Sequence, residues 1–176
     1  MAVSMRLTER PHHGPDAAAS DGDDLATFLY RERLELYYRS LRASLIAVVV
    51  NSSILCWLLW DPARPATLLG WLLATLLVTV YRGILAYRFS RTAPAARSAR
   101  AWYRHAILGA LLSGLSWGAA GFLLFSPDNI YNQSLLAFVL AGMCAGGVVS
   151  LAAFLEASVP FLVLAIVPYT LRLFLE

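Results

Sequence analysis

SLLAFVLAGMCAGGVVSLAAFL, residues 134–155, carries no charged side chain over its whole length. At 1.5 Å rise per residue, a helix of about 20 residues crosses the ~30 Å hydrocarbon core of a bilayer. In lipid, each backbone N–H and C=O must find its partner within the segment, so a run of this kind is a helix. Four more stretches, 43–60, 66–87, 106–125 and 158–175, have the same character. The expected fold is therefore all-α: a polytopic membrane bundle of five transmembrane helices, with an N-terminal juxtamembrane helix before the first.

Composition agrees. The chain is 59% hydrophobic with mean hydropathy +0.63, beyond soluble domains, which are close to half apolar. Its 176 residues suit one bundle and leave no room for a second folded domain. All 14 basic residues are arginine, which with so much Ala and Leu points to a bacterium with a GC-rich genome. The net charge of +3 is gathered beside the apolar runs. Anionic headgroups are then its counter-charge, and no nucleic-acid partner is expected.

Charge placement orients the spans. Arg31, Arg33, Arg39 and Arg42 precede the first, and Arg88, Arg91, Arg97, Arg100 and Arg104 crowd the connection 88–105. The connection 61–65 pairs Arg64 with Asp61, and 126–133 holds only Asp128. The positive-inside rule puts the N-terminus and 88–105 in the cytoplasm. The expected location is the bacterial inner membrane, multi-pass, with the end of the fifth span outside. Some 40 mostly polar residues precede the first run, and no cleavage site follows it, so no signal peptide is expected.

Residues 1–24 read as a disordered tail. His12-His13 within it is two adjacent histidines in a floppy segment, not a metal site. A helix is expected to start near Asp23-Asp24, whose carboxylates suit an N-cap. Residues 25–42 form the cytoplasmic juxtamembrane helix, leading into the membrane domain 43–176. After Pro94, Arg97, Arg100 and Arg104 share one face, predicting a short interfacial helix with Trp102 and Tyr103 at headgroup level. Arg82, at the end of the second span, is expected to snorkel to the inner headgroups. Arg172 should snorkel outward.

Packing signals concentrate in spans three and four. Ala110, Gly114 and Gly118 form one small-residue ridge; Gly142, Gly146 and Ser150 form another. Small residues at four-residue spacing let helix backbones approach closely. Two such ridges on successive spans predict a tight antiparallel pair. Trp117 should fill the space beside Gly118, with its N–H seeking a partner. Asn51, Ser52 and Ser53 lie mid-span, where a hydrogen bond to a neighbouring helix is the simpler reading and a ligand contact the other. Pro160 suits a first helical turn, whereas Pro168 should kink the fifth span.

Enzymatic work lacks residues. No span holds a pair of carboxylates, no Ser/His/Asp or Cys/His set is visible, and His105 is the only histidine near the bilayer. Haem held by two histidines is excluded on count, and zinc lacks ligands. Cys56 and Cys144 read as small hydrophobes. No catalytic residue, metal or cofactor is expected.

Trp117-Gly118, Ala141-Gly142-Met143 with Ala145-Gly146, and Pro160 and Pro168 with Arg172 carry a resemblance, supported by Trp71, Arg82, Trp102 and Arg104. On these landmarks, residues 30–176 resemble the N-terminal membrane input domain of many proteobacterial diguanylate cyclases, GGDEF/EAL proteins and sensor histidine kinases. The resemblance implies a non-catalytic sensory module, a homodimer responding to a small-molecule or membrane signal. Such domains continue into one more helix and a cytoplasmic output domain. Neither follows here, and no GGDEF, EAL or kinase histidine box is present, so the expectation is a sensor half. Asn51, Trp117, Gly142, Pro168 and Arg172 are the candidate ligand or signal positions. A small dimeric transporter or a structural membrane subunit is the alternative, although no internal repeat of the transporter kind is visible.

Overall fold

Apolar runs of this length do form helices. A computed structural model describes residues 15–60, 65–93, 99–152 and 154–175. It holds five helices: α1 (Pro15–Leu58), α2 (Pro65–Arg91), α3 (Ala99–Leu123), α4 (Ile130–Leu151) and α5 (Leu155–Leu175). Each is long and apolar enough to cross a membrane. The chain is a multi-pass membrane protein by this criterion, with no strand among the described residues. Large apolar side chains such as Trp57, Leu77, Phe138 and Val149 are exposed on the outside of the bundle, where lipid is their natural solvent.

The start of the chain differs from expectation. No separate juxtamembrane helix exists, because α1 is one continuous helix of 44 residues, about 66 Å long at 1.5 Å per residue. It begins at Pro15, not near Asp23-Asp24, and so takes in residues 15–24 of the expected tail. Proline is pre-set for a first helical position, and the alanines at 17–19 are the best helix formers. His12-His13 lies outside the described residues. Among the described residues no separate interfacial helix is seen either: Arg100 and Arg104 belong to α3 itself, and Arg97 lies outside the described residues.

α3 is the hub, meeting all four other helices and packing most extensively on α5. α1 touches α2, α4 and, more lightly, α3. The tight antiparallel α3–α4 pair does not form, since these two helices meet only lightly. The α3 ridge faces α5 instead. A Cβ on Gly114 would come within 2.7 Å of the Phe161 carbonyl oxygen, and one on Gly118 would overlap that of Leu164. Gly121 meets Tyr169 in the same way. Rising numbers on one helix match rising numbers on the other, so α3 and α5 run parallel.

Proline explains the choice of partner. Pro168 has no N–H to offer the Leu164 carbonyl four residues back. That oxygen is the atom facing Gly118, where a side chain would overlap it. Trp117 consequently does not fill space beside Gly118; α5 does. Pro160 is one turn further inside its helix than expected, because α5 begins at Leu155. The Ser158 hydroxyl donates to the carbonyls of Leu151 and Phe154, at 2.9 and 3.2 Å, and ties the α4–α5 turn.

The buried core is split in two. At the arginine-rich end, Tyr37, Tyr38, Leu41, Phe89 and Phe154 form one cluster. Tyr38 stacks on Phe89 with centroids 4.1 Å apart, and Trp102 meets both edge-on. Trp102 therefore packs its ring into the bundle at this end. Towards the other end, Leu55, Trp71, Trp117, Leu136 and Leu140 form the second cluster. Trp71 and Trp117 meet edge-to-face at 5.7 Å, and the Trp71 indole donates to the Ser116 carbonyl at 2.8 Å.

Candidate functional site

Between the two clusters the packing is interrupted by a cleft of about 260 Å³. Its walls are Ala43, Ala47, Val48 and Asn51 of α1, Ala110, Ser113 and Trp117 of α3, and Gly142, Met143 and Gly146 of α4. Arg82 of α2 and Phe161 of α5 complete it. Gly142 and Gly146 have no atom within 4 Å of where a Cβ would stand. The second small-residue ridge thus does not pack a helix; it leaves the space that α1 and α4 enclose. Ala43, Ala47, Gly142 and Gly146 are exposed, so the cleft opens on the lipid-facing surface between those helices.

Arg82 is the charge in this cleft. Its side chain is only 5% exposed. Nη1 donates to the Ser113 hydroxyl at 2.8 Å, and that hydroxyl donates on to the Gly109 carbonyl at 2.9 Å. Nε is buried with no hydrogen-bond partner. The stem lies against Gly109, where a Cβ would stand 3.2 Å from Cγ. An arginine at a helix centre in the membrane costs about 2.5–3.5 kcal/mol on insertion scales. No carboxylate in any of the five apolar runs is there to offset that cost.

The expected snorkelling of Arg82 fails for a geometric reason. Side chains on a helix tilt towards its N-terminus. α2 runs towards the arginine-rich end, so Arg82, near its end, points back into the bundle. Arg172 near the end of α5 differs: its guanidinium lies at the loop end of the bundle, over the rings of Phe122 and Phe125 at 5.6 and 5.9 Å from their centroids and beside Ser126 and Asp128.

Of the sequence-derived positions, the structure brings Asn51, Trp117 and Gly142 together on the cleft, with Ala110, Gly146 and Ser150 beside them. Asn51 does reach a neighbouring helix, donating from Nδ2 to the Met143 sulfur at 3.0 Å. Pro168 is elsewhere, against Gly118 in the α3–α5 contact. Arg172 lines a separate hollow with Thr67, Phe125 and Asp128 at the opposite end. Gly114 and Gly118 serve the α3–α5 contact alone. Sequence reasoning missed Arg82, Ser113 and Gly147 as cleft residues. The available signal was an arginine six positions inside the first loop arginine, Arg88, on a helix ending there.

Among the described residues no three metal-ligating side chains come together. No family model, curated relative or solved structure matches the chain.

Proposed function

We propose that this chain is the non-catalytic input module of a bacterial inner-membrane signalling protein of the cyclic-di-GMP or two-component kind, acting as a homodimer with its N-terminus in the cytoplasm. One observation carries the reading. α1 forms a wall of the cleft at residues 43–51 and continues without interruption to Pro15. An occupant that parts α1 from α4 therefore displaces the cytoplasmic portion of the same rigid helix. A packed interface with two arrangements is the element such a switch needs. The aromatic cluster of Tyr37, Tyr38, Phe89, Trp102 and Phe154 lies along that route. The arginine-rich connections support the orientation, and the lack of catalytic constellations in the spans supports a purely sensory role.

The test joins residues 1–176, through one generic transmembrane helix, to a cyclase reporter. Asn51→Leu and Trp117→Leu should change output, whereas Arg172→Gln, outside the cleft, should leave it unchanged. If output never departs from that of the same cyclase on an unrelated anchor, the sensor reading fails and a transport or structural role leads. Orientation has its own measurement. Alkaline phosphatase fused after Asn129 should be active, and fused after Ala95 silent; the reverse pattern would overturn the topology.

A further inference from the structure

We infer that the cleft binds an amphiphilic anion, a single carboxylate or phosphate head carrying an aliphatic tail, with the head on Arg82. The inference uses the same cleft as the sensor reading but rests on binding alone, so it stands or falls apart from any signal output. Four observations converge on it. Arg82, a residue only 5% exposed, makes one side-chain hydrogen bond, to Ser113, and keeps its buried Nε unpaired among the described residues. Arginine's planar fork suits a carboxylate or phosphate because two parallel N–H donors meet two oxygens. The apolar runs contain no acid, so no span supplies a counter-charge. Around Arg82 the walls are otherwise largely apolar, with Val48, Trp117, Met143 and Phe161 placed for a tail.

The entry path favours the same class. Exposed Ala43, Ala47, Gly142 and Gly146 open the cleft sideways towards lipid. A ligand that reaches it from there must itself dissolve in the bilayer, which a free small anion does not. The volume of about 260 Å³ lies just below the usual ~300–1,000 Å³ range for drug-sized ligands, so a short chain fits inside and a longer one projects into the leaflet. Two sources offer this chemistry: a free fatty acid and an anionic phospholipid of the surrounding membrane.

The experiment measures thermal unfolding of the purified full chain. In maltoside micelles decanoate is titrated, with decanol as the uncharged control. In parallel, phosphatidylcholine nanodiscs are compared with and without phosphatidylglycerol. A saturable rise in Tm with decanoate but not decanol identifies a free amphiphile; a rise with phosphatidylglycerol alone identifies a lipid. In either case Arg82→Gln should weaken the apparent affinity about tenfold or more, the effect of losing a charge-assisted hydrogen bond. Gly146→Leu places a side chain in the cleft without touching Arg82. It should keep the unliganded Tm and lose the ligand-induced rise, which decides the matter even if Arg82→Gln does not fold. Equal shifts with decanol and decanoate, an unchanged response in Gly146→Leu, or no shift in either arm would overturn the assignment. So would a dimer that Gly146→Leu dissociates while both ligands remain silent, because a second copy would then cover the cleft.

Discussion

The α3–α5 contact and the α1–α4 contact use the same sequence device and reach opposite results. In the first, Gly114 and Gly118 bring backbone against backbone, with no space for a single methyl group. In the second, Gly142 and Gly146 stand at the same spacing with nothing within 4 Å of their absent side chains, and a cleft remains. Small residues permit close approach; they do not compel it. What compels it at α3 is a partner with something to place there, the Leu164 carbonyl left without its helical donor by Pro168. α1 offers no such group to α4. Its contribution opposite the glycines is Ala43, Ala47 and Asn51, which are too short to fill the gap.

The largest effect should come from the tight side. Gly118→Ala puts a methyl group onto the Leu164 carbonyl oxygen, and neither helix backbone yields cheaply. Overpacking a well-packed contact costs about 1–3 kcal/mol, occasionally more, and this overlap with backbone should lie at the upper end. A fall of several degrees in Tm in micelles is expected, with Gly114→Ala close behind. An unchanged Tm for both would mean that α3 and α5 are not in contact in the membrane, and the comparison would collapse.

Next comes the anchoring of α4. Its inner face packs through Leu136 and Leu140 into the second cluster, and its first turn has a fixing of its own. Asn129 caps the first turn, accepting from the backbone N–H groups of Tyr131 and Asn132 at 3.1 and 3.2 Å. Loss of such a cap costs about 1 kcal/mol. Asn129→Ala should lower Tm by a smaller step than Gly118→Ala and speed hydrogen exchange in the first turn of α4. Exchange that stays unchanged there would show that packing, not the Asn129 cap, fixes the first turn.

How far the sequence discloses this depends on the kind of signal. Length and hydropathy are sums over some twenty residues, and they locate five helices, although α1 and α3 begin well before their apolar runs, at Pro15 and Ala99. Helix partners are different, because Gly114 and Gly146 are the same residue in the same spacing. Only the three-dimensional position of α5 tells them apart, because its backbone at Phe161 meets Gly114 and nothing comes within 4 Å of Gly146. An arginine in a span near a basic loop reads as a headgroup anchor until side-chain direction is considered: Arg82 lies in the second half of α2 and is buried in the bundle. Asn51, Trp117 and Gly142 stand out in the sequence because polar, bulky and absent side chains are each unusual mid-span, and all three line the cleft. That they meet around an arginine is not legible there, since Ser113 and Arg82 are 31 positions apart in sequence.

A smaller effect is expected for the one hydrogen bond that bridges the loose side. Asn51 donates across the cleft to the Met143 sulfur at 3.0 Å. Interhelical hydrogen bonds in membranes average about 0.6 kcal/mol, and sulfur is a weak acceptor. Asn51→Leu should shift Tm by no more than a degree or two. A loss matching that of Gly118→Ala would mean the α1–α4 contact is as stringent as α3–α5.

The smallest effect is the most discriminating. Gly146→Ala adds a methyl group where no atom stands within 4 Å, so no steric cost arises. Alanine also favours the helix over glycine by up to about 1 kcal/mol in water, and part of that should survive in lipid. The expected Tm change is therefore between zero and a slight increase, while the same substitution at Gly118 is strongly destabilising. From sequence alone the two glycines are equivalent, and both should be damaging. A Tm loss for Gly146→Ala equal to that for Gly118→Ala would mean that α1 closes on α4 in the membrane and that no cleft persists. Opposite signs for the two substitutions, measured side by side in one detergent, would establish that one small-residue ridge in this bundle joins helices and the other holds them apart.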